Sequence, residues 1–149
     1  MRHFSITVDI AAPADRVWAV MSDVERWHEW TPSITRVTLL RKGALAVGSR
    51  ALVRQPKFPP ALWRVTELVP GRSFTWVSVA PGLRVIGRHA VELTVNGTRA
   101  VLTLELKGMV GGLWGRLTRG ITERYIAFEA AGLKARSEET TVRHGHPRD

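Results

Sequence analysis

The sequence predicts an α+β fold in which a curved antiparallel sheet of about seven strands wraps around a long C-terminal helix. Three observations carry this prediction. A strand pattern at the N-terminus is followed by two short helical patterns, turn signals divide the middle of the chain into consecutive strands, and a long amphipathic helical pattern follows them. Because 149 residues is an ordinary size for one domain with one core, we expect a single cavity or cleft.

The first elements follow from hydrophobic periodicity. Apolar and polar residues alternate over residues 3–10, which is typical of a strand with one buried face. Pro13 can occupy the first turn of a helix, and apolar residues then recur at helical spacing as far as Val24. A second short helix is predicted over residues 24–30. It ends before Pro32, because the residue before a proline avoids the helical conformation.

Residues 34–107 read as strands, and their later part is divided by three turn signals: Pro70-Gly71, Pro81-Gly82 and Asn96-Gly97. These signals imply four consecutive antiparallel strands. If each turn is a two-residue loop, the closing pairs are Val69 with Arg72, Ala80 with Leu83, and Val95 with Thr98.

These pairs assign a face to every side chain of the four strands, since side chains alternate strictly. One face is mostly apolar and collects Trp63, Val65, Glu67, Phe74, Trp76, Ser78, Val85, Gly87, His89, Val91, Leu93, Ala100, Leu102, Leu104 and Leu106. The other face is mostly polar. It includes Arg64, Arg84 and Arg88, which we expect on the convex, solvent side of the sheet.

The longest helical pattern covers roughly residues 113–136. A stripe at helical spacing predicts the face that packs on the sheet: Trp114, Leu117, Ile121, Tyr125, Phe128 and Gly132. The opposite, solvent side is assigned to Arg116, Arg119, Glu123 and Glu129. Residues 137–149 have almost no apolar side chains, so we expect a disordered tail after a single domain of residues 1–136.

Composition excludes several classes of function. The net charge of +9 could attract nucleic acid, an anionic membrane surface or an acidic partner, but the basic residues are scattered and form no nucleic-acid motif. We therefore expect no nucleic-acid partner. No stretch approaches the ~20 apolar residues that span a bilayer, so no stable membrane insertion is expected. The chain has no cysteine and starts without a signal-peptide pattern, which makes a cytoplasmic location the simplest interpretation.

Several segments resemble the START-like (SRPBCC) superfamily of helix-grip proteins, and in particular its polyketide cyclase/dehydrase-like branch. They are A-P-A-D-R-V-W at 12–18, D-V-E-R-W-H-E-W-T-P at 23–32, W-R-V-T-E at 63–67, P-G-R-S-F-T-W at 70–76 and the strand at 82–89. The resemblance covers about residues 3–136. It implies a helix-grip fold with a hollow between sheet and helix, in a superfamily that includes lipid carriers, hormone receptors, aromatase/cyclases and pollen allergens.

His89 is the candidate catalytic residue, because it is the one imidazole on the otherwise apolar face of its strand. The predicted register places it opposite Phe74, with Glu67 one strand further, about 10 Å away at the backbone. A histidine near neutrality can act as an acid or a base, with Glu67 as its partner. A core histidine satisfied by a neighbour is the competing interpretation.

Flat apolar side chains with a few polar atoms are the usual lining of a small-molecule pocket. On that basis the predicted ligand-binding residues are Trp63, Phe74, Trp76, Ser78, His89, Leu104, Tyr125 and Phe128. The same aromatics could equally be ordinary core. Metal binding is not expected, because His3, His28 and His89 are isolated in the sequence, and no cofactor motif is present.

Three functions remain open at this point. The leading hypothesis is binding or carriage of a small hydrophobic or aromatic molecule in a cavity between the sheet and the C-terminal helix. The second is a cyclase or dehydratase that uses His89, with Glu67 and Tyr125, for proton transfer. The third is an interaction module whose aromatic side chains fill the hollow. The oligomeric state and the identity of the ligand do not follow from the sequence.

Overall fold

The computed structural model describes residues 2–143 and confirms the predicted α+β helix-grip fold. The elements in chain order are β1 (Arg2–Ile10), α1 (Ala14–Ser22), a 3-10 helix (Val24–Glu29), β2 (Arg36–Leu39), β3 (Arg50–Arg54), β4 (Ala61–Val69), β5 (Ser73–Ala80), β6 (Leu83–Thr94), β7 (Gly97–Lys107), α2 (Gly111–Leu117) and α3 (Arg119–Arg143). The strands form one antiparallel sheet in the order β1-β7-β6-β5-β4-β3-β2. Within residues 2–143, no helix is both long and apolar enough to cross a membrane.

The turn signals place the strands as predicted at Pro81-Gly82, where Ala80 pairs with Leu83. At Asn96-Gly97 the register is shifted by two residues: Thr98 pairs with Leu93 instead of Val95. The slide is an even number of residues, so every side chain keeps its predicted face. Arg64, Arg84 and Arg88 are accordingly exposed.

The turn at Pro70-Gly71 differs from the prediction. It is a three-residue loop in which Val69 pairs with Ser73, and Gly71 has a φ of +77°. A β-bulge between Val65 and Glu67 then returns the pairing to the predicted register. The residues between bulge and turn are therefore shifted by one position, which exchanges their faces.

The core lies between the sheet, α1, the 3-10 helix and the C-terminal half of α3. Its centre is aromatic: Trp27, Phe74 and Trp76 are almost fully buried. The Trp27 indole donates a hydrogen bond to the Met21 carbonyl over 3.0 Å, so its polar atom is satisfied inside the core.

The C-terminal helix differs from the prediction in its breaks and in its buried face. Thr118 separates α2 from α3, and α3 continues past residue 136 to Arg143, with Ser137 fully buried. The expected disordered tail therefore does not begin at residue 137. The rest of that tail, residues 144–149, lies outside the described residues.

The predicted apolar stripe is only partly buried: Ile121, Tyr125 and Gly132 are half-buried, and the others are exposed. Leu117 is 72% exposed and Phe128 is 37% exposed. The buried side chains of α3 and of Thr118, which precedes it, are instead mostly small or polar: Thr118, Thr122, Ala130, Leu133 and Ser137. The threonine hydroxyls are compatible with burial because both are hydrogen-bonded: the Thr118 hydroxyl donates to the Trp114 carbonyl, and the Thr122 hydroxyl donates to the Thr118 hydroxyl oxygen.

A close backbone contact fixes this rotation of α3. Gly132 packs so tightly against the Trp30 carbonyl that a Cβ at Gly132 would overlap the oxygen. Beside this contact, the Arg136 guanidinium pairs with the Glu29 carboxylate at 2.6 Å. The helix is therefore held by the 3-10 helix and α1 as well as by the sheet.

Candidate functional site

His89 lies in the aromatic centre of the core, where β6 pairs with β5. The predicted register is confirmed, since His89 pairs with Phe74. The imidazole stacks on the Phe74 ring with centroids 4.4 Å apart and planes 8° apart, and it contacts the Trp27 ring at 5.1 Å. Only 7% of the residue is exposed.

The imidazole is neutral at physiological pH. Burial among aromatic rings disfavours the charged form and lowers the pKa of His89 from 6.5 to about 3, although the Phe74 backbone opposes this shift. The His89 Nδ1 atom is buried and has no hydrogen-bond partner among the described residues. The Phe74 backbone is a protein neighbour of the imidazole, so a core histidine, the competing interpretation, is partly satisfied here, while Nδ1 remains unpaired.

The prediction that Glu67 shares a face with His89 is wrong. The bulge at Val65–Glu67 places Glu67 opposite Thr75 on the outer face of the sheet, where it is exposed. Leu68 takes the inner position opposite Phe74. The sequence signal of the bulge is a break in the alternation, since the inward apolar positions are Trp63, Val65 and Leu68, with Glu67 where an apolar residue would be expected.

Glu129 of α3 is the ionisable partner that the sequence interpretation missed. This half-buried residue lines the same small cavity as His89. Burial raises the pKa of Glu129 from 4.5 to about 7, and no hydrogen bond or ion pair joins it to another described residue. The large apolar residues of the helix place Glu129 on the solvent side, whereas the buried face includes smaller side chains. A helical stripe through Thr122, Glu129 and Leu133 predicts the buried position of Glu129.

The cavity between His89 and Glu129 is otherwise apolar. Its other walls are Met21, Trp27, Trp30, Leu102 and Leu133. Its volume of about 10 Å³ is about what one water molecule requires. The aromatic side chains thus fill most of the hollow that the sequence predicted at this position.

A surface groove lies on the other side of Trp30. Its volume is about 180 Å³, and its walls include Arg16, Arg26 and Arg136. Trp30 lines both the groove and the inner cavity. This indole therefore separates the cavity from the surface.

The remaining predicted ligand-binding residues lie elsewhere on the inner side of the sheet or at its margin. The Trp63 and Trp76 rings are 5.4 Å apart, and Gly87 lies beneath Trp76. Ser78 and Leu104 are partly buried beyond this pair.

Tyr125 and Phe128 do not line the His89 cavity. The Tyr125 hydroxyl donates to the Pro56 carbonyl, and its ring meets Phe58 edge-on at 5.7 Å. Phe58 also contacts Trp114 of α2 at 6.5 Å. These contacts join the β3–β4 loop to α2 and α3 in a second aromatic cluster.

The fold and the site together define a helix-grip protein whose apolar interior holds two ionisable side chains, His89 from the sheet and Glu129 from the helix. The chain belongs to the family described as polyketide cyclase/dehydrase and lipid transport, whose model matches residues 1–138. A search of curated proteins found no match.

Solved structures share this fold at low sequence identity. The Zhui aromatase/cyclase from Streptomyces sp. R1128 superposes with a TM-score of 0.75 and 23% identity, over 98% of this chain and 99% of that one. The protein TTHA0849 from Thermus thermophilus gives a TM-score of 0.71 and 20% identity, over 94% and 99%. A START superfamily protein from Mycobacterium smegmatis gives 0.68 and 21%, over 93% and 98%.

Proposed function

We propose that the protein binds a small, largely apolar molecule that carries a polar oxygen, held between His89 of the sheet and Glu129 of the C-terminal helix. One observation carries this proposal: two ionisable side chains line one apolar cavity, where the His89 Nδ1 atom has no hydrogen-bond partner and Glu129 has none among the described residues. An unpaired buried polar group costs about 1–3 kcal/mol, which a hydrogen-bonding partner would offset. A ligand oxygen would satisfy both.

The chemistry of the pair sets the kind of ligand. At neutral pH the His89 imidazole is uncharged and the Glu129 carboxyl, with a pKa of about 7, is about half protonated, so the cavity offers one base and one acid. A hydroxyl or carbonyl group fits this arrangement better than an anion. The surrounding indole and phenyl rings favour an aromatic body.

The cavity admits a molecule larger than water only if side chains move. Met21 and Trp30 form two of its walls, and Trp30 is the boundary with the surface groove. Met21 has an unbranched, adaptable side chain. Displacement of these two side chains would enlarge the space without breaking the sheet.

Titration with β-naphthol, a fluorescent aromatic alcohol, tests the proposal. We expect saturable binding that His89→Gln retains within about tenfold, ~1.4 kcal/mol, because glutamine keeps a hydrogen-bonding group there. Glu129→Leu should weaken binding by about tenfold or more. The control is Glu67→Leu, which removes a carboxyl from the exposed outer face and should leave binding unchanged. Binding that is equal in all four proteins would contradict the proposal.

A second function, cyclase or dehydratase chemistry, is favoured by the opposite pKa shifts of the two groups. A pair whose pKa values are pushed apart in one cavity is suited to general acid–base catalysis. In dehydration of a β-hydroxy ketone, neutral His89 would take the α-proton while a C=C bond forms. Protonated Glu129 would give its proton to the departing hydroxyl, which leaves as water, and proton return from His89 to Glu129 would restore the pair.

The two functions separate in one assay. With a β-hydroxy aryl ketone, formation of the conjugated enone is followed by its absorbance. Catalysis requires that His89→Gln lower turnover about 100-fold or more while binding stays nearly intact. Absence of turnover in the unchanged protein, together with saturable β-naphthol binding, would leave binding as the function and exclude dehydration of this substrate class.

A further inference from the structure

An exposed apolar surface surrounds α2. We call it the α2 patch; its residues are Met109, Val110, Leu113, Trp114 and Leu117. Met109 is 97% exposed and Leu117 is 72% exposed. Isolated apolar side chains on a surface are normal, but five large ones in nine consecutive positions mark an interaction site.

The local backbone presents these side chains outward. The buried residues of α2 are Gly111 and Gly115, so the face of this helix that contacts the sheet is made of glycine. A Cβ at Gly111 would lie 3.1 Å from the Leu106 carbonyl, and one at Gly115 would clash with the Arg2 stem. The helix therefore lies close on the sheet and leaves its large apolar side chains outside, the reverse of an ordinary amphipathic helix.

A backbone hydrogen bond fixes the N-terminal end of the α2 patch. The Val110 amide donates to the Gly82 carbonyl over 2.9 Å, which ties the patch to the β5–β6 turn. The fold thus keeps these apolar side chains on the surface as part of an ordered element.

The chain segments next to the α2 patch are basic. Arg84 and Lys107 are direct cross-strand partners, and Arg116 is exposed on α2. Lys107 pairs with Glu105 at 3.6 Å, whereas Arg84 and Arg116 form no ion pair within the described part of the chain. The segment from Leu106 to Thr122 contains no acidic residue.

Two occupants could cover such a surface, a second copy of the chain or an anionic membrane, and the charge of the chain favours the membrane. In a symmetric dimer built on the patch, the exposed Arg116 side chains of two copies would be brought together, and each chain carries a net charge of +9. An anionic bilayer surface complements both the charge and the apolar side chains, since Trp and Leu with flanking basic residues are typical of interfacial helices. We propose that the α2 patch docks the protein peripherally on anionic phospholipid membranes.

Co-sedimentation with large unilamellar vesicles tests the proposal on the full chain. We expect binding to phosphatidylcholine vesicles that contain about one-third phosphatidylglycerol, and much weaker binding to pure phosphatidylcholine or at high salt. The Leu113→Gln/Leu117→Gln variant should bind at least about tenfold more weakly, because it removes the apolar anchor. The matched control is Leu93→Gln/Val95→Gln, the same kind of change at the exposed β6–β7 turn, which should bind like the unchanged protein.

The charged rim provides a second, independent variant. Arg84→Gln/Arg116→Gln leaves the apolar side chains in place and should remove most of the preference for anionic vesicles, by about tenfold. Equal sedimentation of all variants would overturn the proposal. Concentration-dependent dimerisation without vesicles that Leu113→Gln/Leu117→Gln abolishes would also overturn it and identify a second copy as the occupant.

Discussion

The His89 imidazole stacks nearly parallel on the Phe74 ring, 4.4 Å away, while its Nδ1 atom has no partner among the described residues. A buried side chain thus gains its packing from the core but leaves its hydrogen bonding unsatisfied. That combination makes its protonation state visible in the stability of the whole protein.

His89 should make the protein less stable as the solution becomes acidic. Its folded pKa of about 3 lies below the ordinary 6.5, so the unfolded chain binds a proton that the folded chain excludes. Its full contribution to the free energy of unfolding is present above pH 6.5 and is lost as the pH falls toward 3. At pH 5 the loss is ~2 kcal/mol.

Glu129 should have the opposite effect. Its folded pKa of about 7 lies above the ordinary 4.5, so the folded chain keeps a proton that the unfolded chain has released. Its contribution is present below pH 4.5 and is lost as pH rises through 7. We expect Glu129→Gln to stabilise the protein by ~1–2 kcal/mol at pH 8, measured by urea unfolding.

Between pH 4.5 and 6.5, His89 makes the free energy of unfolding rise with pH and Glu129 makes it fall by a similar amount. The two effects therefore cancel in the unchanged protein. The unchanged protein should show nearly constant free energy of unfolding across this range. Over the same range, His89→Gln should lose stability as pH rises, and Glu129→Gln should lose stability as pH falls. If both variants retain the flat profile of the unchanged protein, the two groups are not buried as described.

Two glycines of α3 should respond oppositely to alanine. Gly132→Ala should destabilise the protein by ~2–4 kcal/mol, because its Cβ would overlap the Trp30 carbonyl. Gly120→Ala has open space around the new methyl group and should stabilise by ~0.5–1 kcal/mol through helix propensity. Thermal unfolding of both variants checks this; a stabilising effect at Gly132 would contradict the contact between α3 and the Trp30 backbone.

Tyr125→Phe should loosen the β3–β4 loop. The change removes the hydrogen bond to the Pro56 carbonyl, worth ~0.5–1.5 kcal/mol, and keeps the ring contact with Phe58. Trypsin should then cleave faster after Lys57, which lies in this loop with a φ of +70°. Cleavage after Lys42, in a different loop, serves as the internal reference and should not change.

The sequence predicted the fold well because its signals are local and redundant. The position of Pro81-Gly82 alone set the pairing of His89 with Phe74. At Asn96-Gly97 the glycine serves another purpose: a Cβ there would lie 2.7 Å from the Ile10 carbonyl, so close approach to β1, rather than the turn centre, requires it. The pairing slid, but the faces did not change.

The site was only half predictable. His89 was found because a single polar residue interrupts an apolar face. Glu129 was missed because the buried face of α3 includes the hydroxyls of Thr118 and Thr122, which a search for large apolar residues assigns to solvent. Glu67 was misplaced by a bulge of one residue. Both errors arise where hydrogen bonds, not hydrophobicity, determine the local structure.

The open sheet has two edge strands, and side chains from the helices cover main-chain polar groups at both. At the edge formed by β2, the Glu25 carboxylate accepts the Leu39 amide over 3.1 Å. Along β1, Lys134 donates to the Asp9 carbonyl, and Glu138 accepts the Ala11 amide just after the strand. Free edge groups are templates for strand addition between molecules. These three charged side chains therefore oppose edge-to-edge aggregation. Their replacement would lower the yield of monomer more than the melting temperature.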